Sequence, residues 1–391
     1  MFNLKNYICK IFFLIKGLLL SKKIFFNPPQ KKYLIYDRIG SEFIIPYLNN
    51  KNYSILDTRR ESINISVLIY SILKNGFKNL FLNYVTTYIN FVKPKMVITT
   101  INTDIRFYLV KEKLNFDSKF ISIQNGLFGT QDEFSSIKKF KKIYKKKLIC
   151  DYFLCQNNYL KKKIEKHIKT KCILIGSLRN NFIDIAKRKK NHITFISQYI
   201  PTKENNSIMY QKNKIKITHN DANMLHLSVL KNILYFFSKK NKLCILLRDV
   251  NVRKQVSFYK QNLKDFNNCY YFYIPRNNID NYKFLDGSKM VIFVDSFLGY
   301  EAFARGIKIL SFSLRSNKFK LNAYNFAYNY YGSNGLFWSN KINKKVIKNK
   351  LNKILSIEAY KWKLIKKKLE KNIIVYDNGN SKLKKLIKSV S

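Results

Sequence analysis

Acidic residues are scarce: 23 Asp and Glu stand against 74 Lys and Arg in 391 residues, a formal net charge of +51. That excess points to an anionic partner, and nucleic acid, acidic lipid or a phosphorylated substrate would each satisfy it. Glycine (12) and proline (6) are also few, while Lys, Asn, Ile, Phe and Tyr abound; an AT-rich genome produces that skew through codon usage alone. Long apolar runs are missing. The longest, Ile11 to Leu20, is interrupted by Lys16 and Gly17 and falls short of the ~20 residues of a spanning helix. No small-residue cleavage site follows it, so a signal peptide is not expected. Cys9, Cys150, Cys155, Cys172, Cys244 and Cys269 form no CxxC pair. The middle four sit in or beside apolar runs and read as buried free thiols of a reducing compartment. There is no DxD motif, no zinc spacing among the four histidines, and no GxGxxG, GxxxxGK[ST] or GxSxG. No bound metal and no cofactor are expected.

Hydrophobic residues make up 46% of the chain, enough for two cores. Short β-rich runs alternate with helical patterns, which predicts parallel sheets covered by helices. The strands of a first series are Tyr33–Tyr36, Tyr53–Leu56, Met96–Thr99, Phe120–Ile123, Tyr152–Leu154 and Cys172–Ile175. Those of a second are Ile193–Ser197, Cys244–Leu247, Tyr270–Ile274, Val291–Val294 and Ile309–Phe312. A polar, basic stretch, Arg179 to Asn191, reads as the linker between them. The expected fold is α/β, two Rossmann-like domains facing a cleft. Residues 29–185 form the acceptor-side domain and 186–340 the nucleotide-donor domain. Residues 1–28 read as a basic amphipathic helix, lying on an anionic membrane or packed on a core, and 341–391 as a basic helical tail.

Strand ends carry the candidate chemistry, because ligands of open α/β sheets bind at the carboxyl edge. In Val291 to Gly306 a buried strand runs into Asp295-Ser296 and then a helix whose free amides suit a phosphate. Gly299 would let a ligand approach, Ser296 would cap the helix or donate to phosphate, Glu301 would accept from ribose hydroxyls, and Arg305 would pair with Glu301 or join the donor site. Arg248, after the strand ending at Leu247, is placed to hold a diphosphate. On the first sheet, Gln124, Asn125 and Gly126 end a strand facing the cleft, or simply form a turn. Asp104 is a candidate base or a helix cap, and Arg60, with Arg59, would hold an acceptor phosphate or form surface ion pairs. Lysine clusters at 138–147 and around Lys366–Lys368 suit acidic lipid or nucleic acid, or are solvated loops.

Several stretches together resemble bacterial surface-carbohydrate (O-antigen or capsule) biosynthesis proteins with a GT-B-like fold. They are Lys32 to Asp37, Arg60 to Asn64, Val92 to Thr99, Ile121 to Gly126, Gly176-Ser177 with Asn180-Asn181, Asp295 to Gly306 and Gly335 to Trp338. A looser likeness reaches CDP-glycerol glycerophosphotransferases and UDP-sugar 2-epimerases, through Asp295-Ser296, Gly299 and Glu301-Ala302. The resemblance implies that the second lobe holds an activated nucleotide donor and the first a glycan or lipid-linked acceptor. Glycerophosphotransferases of this type carry His-Gly where this chain has Asn125-Gly126. An amide is no base at neutral pH, so that role passes to Asp104 or Glu61. The expected protein is a metal-independent transferase of surface polysaccharide synthesis, cytoplasmic and peripheral on the inner face of the membrane. The alternatives are a UDP-sugar epimerase or a basic nucleic-acid-binding protein; no helix-turn-helix, RRM or zinc-finger pattern favours the latter.

Overall fold

The computed structural model describes residues 19–48, 52–59, 61–126, 135–145, 147–201, 208–212, 215–248, 251–313, 326–329 and 331–390. Most of the expected N-terminal helix lies outside these residues. The part that lies within them is not all helical: Lys22–Ile24 is a strand, paired in parallel with Ser62–Asn64. The Asn64 side chain donates to the carbonyl of Phe26 at 2.7 Å and holds the chain extended there.

Two sheets dominate. The first contains, in spatial order, Tyr53–Ile55, Tyr33–Ile35, Met96–Thr99, Lys119–Ile123, Leu148–Cys155 and Ile168–Leu174, all parallel. The second runs Tyr270–Tyr273, Leu243–Leu246, His192–Ile196, Ser288–Phe293 and Lys308–Phe312, also parallel, and ends in the antiparallel pair Trp338–Ser339 and Asn334–Gly335. Strands such as Met96–Thr99 and Leu243–Leu246 are buried along their whole length. Helices cover both faces of such a sheet, which is why these runs are continuously apolar instead of alternating. Strand order reverses once in each sheet. In the first, the reversal separates Tyr33–Ile35 from Met96–Thr99; in the second, it separates His192–Ile196 from Ser288–Phe293. Reversals of this kind open a crevice beyond the carboxyl ends.

Asparagine, plentiful in the composition, is put to local use. Asn64, Asn157, Asn277 and Asn343 each cap a helix by accepting a backbone amide through the side chain. Such caps are worth ~1 kcal/mol each against alanine. The connecting stretch begins with a short helix, Leu178–Phe182, in which Asn180 and Asn181 are fully buried. It is therefore not a loose polar linker at that end. The hairpin Ile208–Lys212 with Ile215–Thr218 was not expected from sequence.

The chain crosses twice between the lobes. Lys344–Ser356 and Ala359–Ile373 pack on the second core through Ile347, Ile354 and Trp362. The chain then returns. Val375 N donates to the Gln156 carbonyl at 3.1 Å, and Asn157 Nδ2 donates to that of Ile373 at 2.8 Å. The last helix, Ser381–Val390, buries Leu383, Leu386 and Ile387 beside Tyr33, Ile35 and Ile44 of the first lobe. Among the described residues no helix is long and apolar enough to cross a membrane.

If this last helix completes the first core, Leu383→Ala lowers stability by about 2–5 kcal/mol. Urea unfolding followed by circular dichroism measures it; an unchanged midpoint would mean that the helix is dispensable.

Candidate functional site

A cavity of about 490 Å³ lies between the two carboxyl edges. The first lobe lines it with Gly40, Phe43, Thr100, Gln124, Asn125 and Gly126, and the connecting stretch adds Ser177 and Arg179. From the second lobe come Ser197 and Gln198, then Arg248, Asn281 and Tyr282, and finally Ser296, Phe297, Leu298 and Glu301. Each strand that points at the cavity supplies the residues just past its end, as the doubly wound layout requires.

The first wall is held rigidly. Gln124 Oε1 accepts from the Gln156 amide at 3.0 Å, and the Gly126 carbonyl accepts from both Gln124 and Gln156. Asn125 N donates to Asn102 Oδ1 at 3.2 Å, while the Asn125 side chain remains exposed. Gly126 has φ 74°, a conformation that glycine adopts without strain. Gly40 also has positive φ, and a Cβ there would lie 2.8 Å from Thr100 Oγ1.

On the second wall, Phe297–Ala304 starts at Ser296, whose side chain makes no capping bond. The first amides of this helix and its dipole are therefore available to an anion. Gln255 braces the Arg248 backbone twice, at 3.1 and 3.0 Å, and leaves the guanidinium exposed. Arg179 lies with its guanidinium over the Phe43 ring, 5.3 Å from the centroid. Behind the wall, Ser197 Oγ meets Tyr259 Oη at 2.8 Å and Tyr259 Oη meets His226 Nε2 at 3.1 Å, a buried network that fixes the strand end.

Glu301 sits where the lobes touch. It is 4% exposed, and Ser177 Oγ donates to its Oε1 at 2.5 Å. Burial pushes its carboxyl up to about 7, against the opposing pull of hydrogen bonds from Ser177 and Tyr282 and of Arg179 and Arg305. Burial, and then the Glu301 charge, in turn raise the Tyr282 hydroxyl well above its ordinary value. Glu301 is the one carboxylate among the described residues that line the cavity.

Of the residues singled out in the sequence, Gln124, Asn125, Gly126, Arg248, Ser296 and Glu301 line this one cavity. Others do not. Asp104 caps the helix Ile105–Lys111 and binds Arg106 through both oxygens at 2.8 Å, away from the cavity. Glu61 accepts from the Arg59 amide at 3.2 Å on an exposed edge, so neither carboxylate faces the crevice. Arg60 lies outside the described residues; its neighbour Arg59 is 3.6 Å from Asp37. Asp295 adopts φ 55° and turns to Ser313, which donates to it at 2.9 Å. Gly299 is a packing glycine: a Cβ would fall 2.3 Å from the Phe293 ring, so the helix approaches its strand too closely for a side chain. Arg305 does not line the cavity. Its guanidinium, fully buried, binds Asp286 at 2.7 Å and the carbonyls of Ile183 and Asp184 at 2.9 Å. Sequence reading missed Arg179 and Tyr282, which reach the cavity from helices and carry no strand-end signal. It also missed Ser197 and Gln198, which the strand-end rule would have found.

Among the described residues no three His, Cys, Asp or Glu side chains gather as a metal centre would need. The model of the O-antigen biosynthesis protein family matches residues 121–391, more than half of the chain. No curated protein matches the sequence. Among solved structures, the wall teichoic acid polymerase TagF soaked with CDPG has TM-score 0.52 at 13% identity, covering 93% of this chain and 89% of that one. HepE from Anabaena, in complex with UDP and glucose, has TM-score 0.50 at 9% identity, covering 92% and 99%. At such identities the likeness carries the fold, a GT-B-like pair of Rossmann-like lobes.

Two outcomes follow. Arg305→Ala strands Asp286 in the interior and costs about 3–5 kcal/mol, whereas Arg248→Ala on the exposed cavity wall shifts stability by less than about 0.5 kcal/mol; thermal or urea unfolding separates them. The raised Glu301 carboxyl stabilises the fold fully below its unfolded value near 4.3, and that contribution disappears as pH climbs through about 7. The melting temperature therefore drops between pH 5 and 8 relative to Glu301→Gln, by a free energy on the order of 3 kcal/mol in total. Parallel pH profiles of the two proteins would refute the shift.

Proposed function

The chain belongs to the O-antigen biosynthesis protein family, and from that premise we propose that it transfers a glycosyl or related group from a nucleotide-activated donor to a surface-glycan acceptor. The observation that carries this reading is the convergence of Arg179, Arg248 and the uncapped start of Phe297–Ala304 on one interlobe cavity. Two guanidiniums and a helix N-terminus form an anion site suited to a diphosphate. As the bond from the transferred group to the diphosphate breaks, negative charge grows on the leaving oxygens. Preorganised cations and amides stabilise that charge more than they stabilise the ground state. We take this set to do the work without a metal. Glu301 is within the cavity to bind donor hydroxyls. Its proton equilibrium near neutrality lets it accept from them when ionised and donate when protonated.

The acceptor enters against Gln124, Asn125 and Gly126 on the opposite wall. With Asp104 and Glu61 engaged elsewhere, either Glu301 or the departing phosphate receives the acceptor proton. The donor is a nucleotide sugar or a related compound such as a nucleotide polyol, and the acceptor a glycan or lipid-linked glycan. Nucleotide-activated donors are cytoplasmic metabolites, so we place the reaction at the cytoplasmic face of a membrane.

Calorimetry with a panel of nucleoside diphosphates tests the donor site. Binding is expected, and Arg248→Ala and Arg179→Ala should each weaken it about tenfold or more. A panel without any binder removes the basis of the assignment. Product analysis then separates transfer, which extends the acceptor, from epimerisation, which leaves a free nucleotide sugar.

A further inference from the structure

Exposed apolar side chains are ordinary when scattered and informative when gathered. Among the described residues the large apolar side chains that are 67% exposed or more all fall in the stretches 19–26 and 73–77 of the first lobe. Phe25 and Phe26, which follow the strand Lys22–Ile24, are 67% and 85% exposed. That strand lies against the helix Ile65–Asn75, and the Asn64 cap of the helix is bonded to the Phe26 carbonyl. The helix buries Val67 and Ser71 but exposes Ile69 and Leu73 one turn apart, and Phe77, just beyond the Gly76 cap, is exposed as well. Leu73 is 81% exposed.

The rim of this surface is basic. Lys22, Lys23, Lys74 and Lys78 are all exposed, and the stretches 19–32 and 62–79 contain no acidic residue. A water-soluble protein partner would cover the apolar side chains without needing the lysines. An anionic bilayer uses both, taking the aromatic and leucine side chains into its interface while its headgroups pair with the ammonium groups. Burying apolar area and drawing on the headgroup charge act together, so each reinforces a contact that neither makes firmly alone.

We propose that the first lobe docks on an anionic lipid bilayer through this surface, with Phe25, Phe26, Ile69, Leu73 and Phe77 inserted at the interface. The surface lies on the lobe that would receive the acceptor and apart from the cavity residues. It therefore stands or falls independently of the nucleotide reading.

The test is cosedimentation of the full chain with vesicles of phosphatidylcholine containing about one-third phosphatidylglycerol. The wild type should sediment with them and stay in solution with pure phosphatidylcholine. Phe26→Glu combined with Leu73→Glu should reduce binding at least about tenfold while leaving the unfolding midpoint unchanged, since both positions are exposed. Phe26→Trp provides a direct readout: its emission should shift to the blue on vesicle addition and be quenched by brominated lipid. Three results overturn the proposal. They are no vesicle binding by the wild type, undiminished binding by the double variant, and a wild-type dimer in sedimentation that the double variant abolishes.

Discussion

Arg305 reaches from the second lobe into the connecting stretch, where its guanidinium is shut away from water between Asp286 and the backbone carbonyls of Ile183 and Asp184. Its NH1 also meets the Asn180 side chain at 3.1 Å. A cation in such a position is tolerable only when every donor is satisfied, because its desolvation cost is several kcal/mol. The bonds that satisfy it run from one lobe to the peptide joining the two. They therefore hold the short helix Leu178–Phe182 at a set distance from the second sheet. Ser177 and Arg179, at the start of that helix, are thereby carried to the cavity. Four residues before Arg305 in the chain, Glu301 accepts from Ser177 and closes the same seam from the cavity side. Displacing the guanidinium would disturb the lobe contact, the capping serine and one of the two cavity arginines together.

The chemistry of the cavity depends on a contrast in burial across this seam. Arg248 is exposed on the cavity wall, whereas Arg305, chemically the same, is committed to structure. Glu301 and Asp104 show the converse. Asp104 holds both a helix amide and a guanidinium and is committed to structure. Glu301 is desolvated at a lobe contact and titrates near neutrality. The very large positive charge of the whole chain does not distinguish these groups. It supplies a field that draws anions toward the protein, while on the proposed reading the selection of an anion is left to the few donors that converge.

Much of the architecture could be read in the residues. Runs such as residues 96–98 and 120–123 are short and mostly apolar, so they declare parallel strands buried on both faces. Their ends then point to the cavity-lining Gln124 and Asn125. The weak points were segments whose conformation is decided by a distant partner. Lys22–Ile24 reads as part of an amphipathic helix and becomes a strand because Ser62–Asn64 offers a ladder. Asp104 and Asp295 follow strand ends and Gly299 lies in the helix after one, as expected, but local geometry directs them to a cap, to Ser313 and to the Phe293 ring.

The sequence alone determined the two series of strands, the carboxyl edges at which chemistry would gather, and the excess of cations around them. Those properties follow from local periodicity and composition, which act over a few residues. Only the tertiary structure decided which arginine would be a strut and which would face the cavity, that Glu301 would be desolvated against Ser177, and that the final helix would cross back to complete the first core. The strut role of Arg305, the burial of Glu301 and the return of the final helix each depend on groups more than a hundred residues apart being brought into contact. Burial and pairing at that range change both the charge state and the availability of a side chain, and no local pattern encodes them.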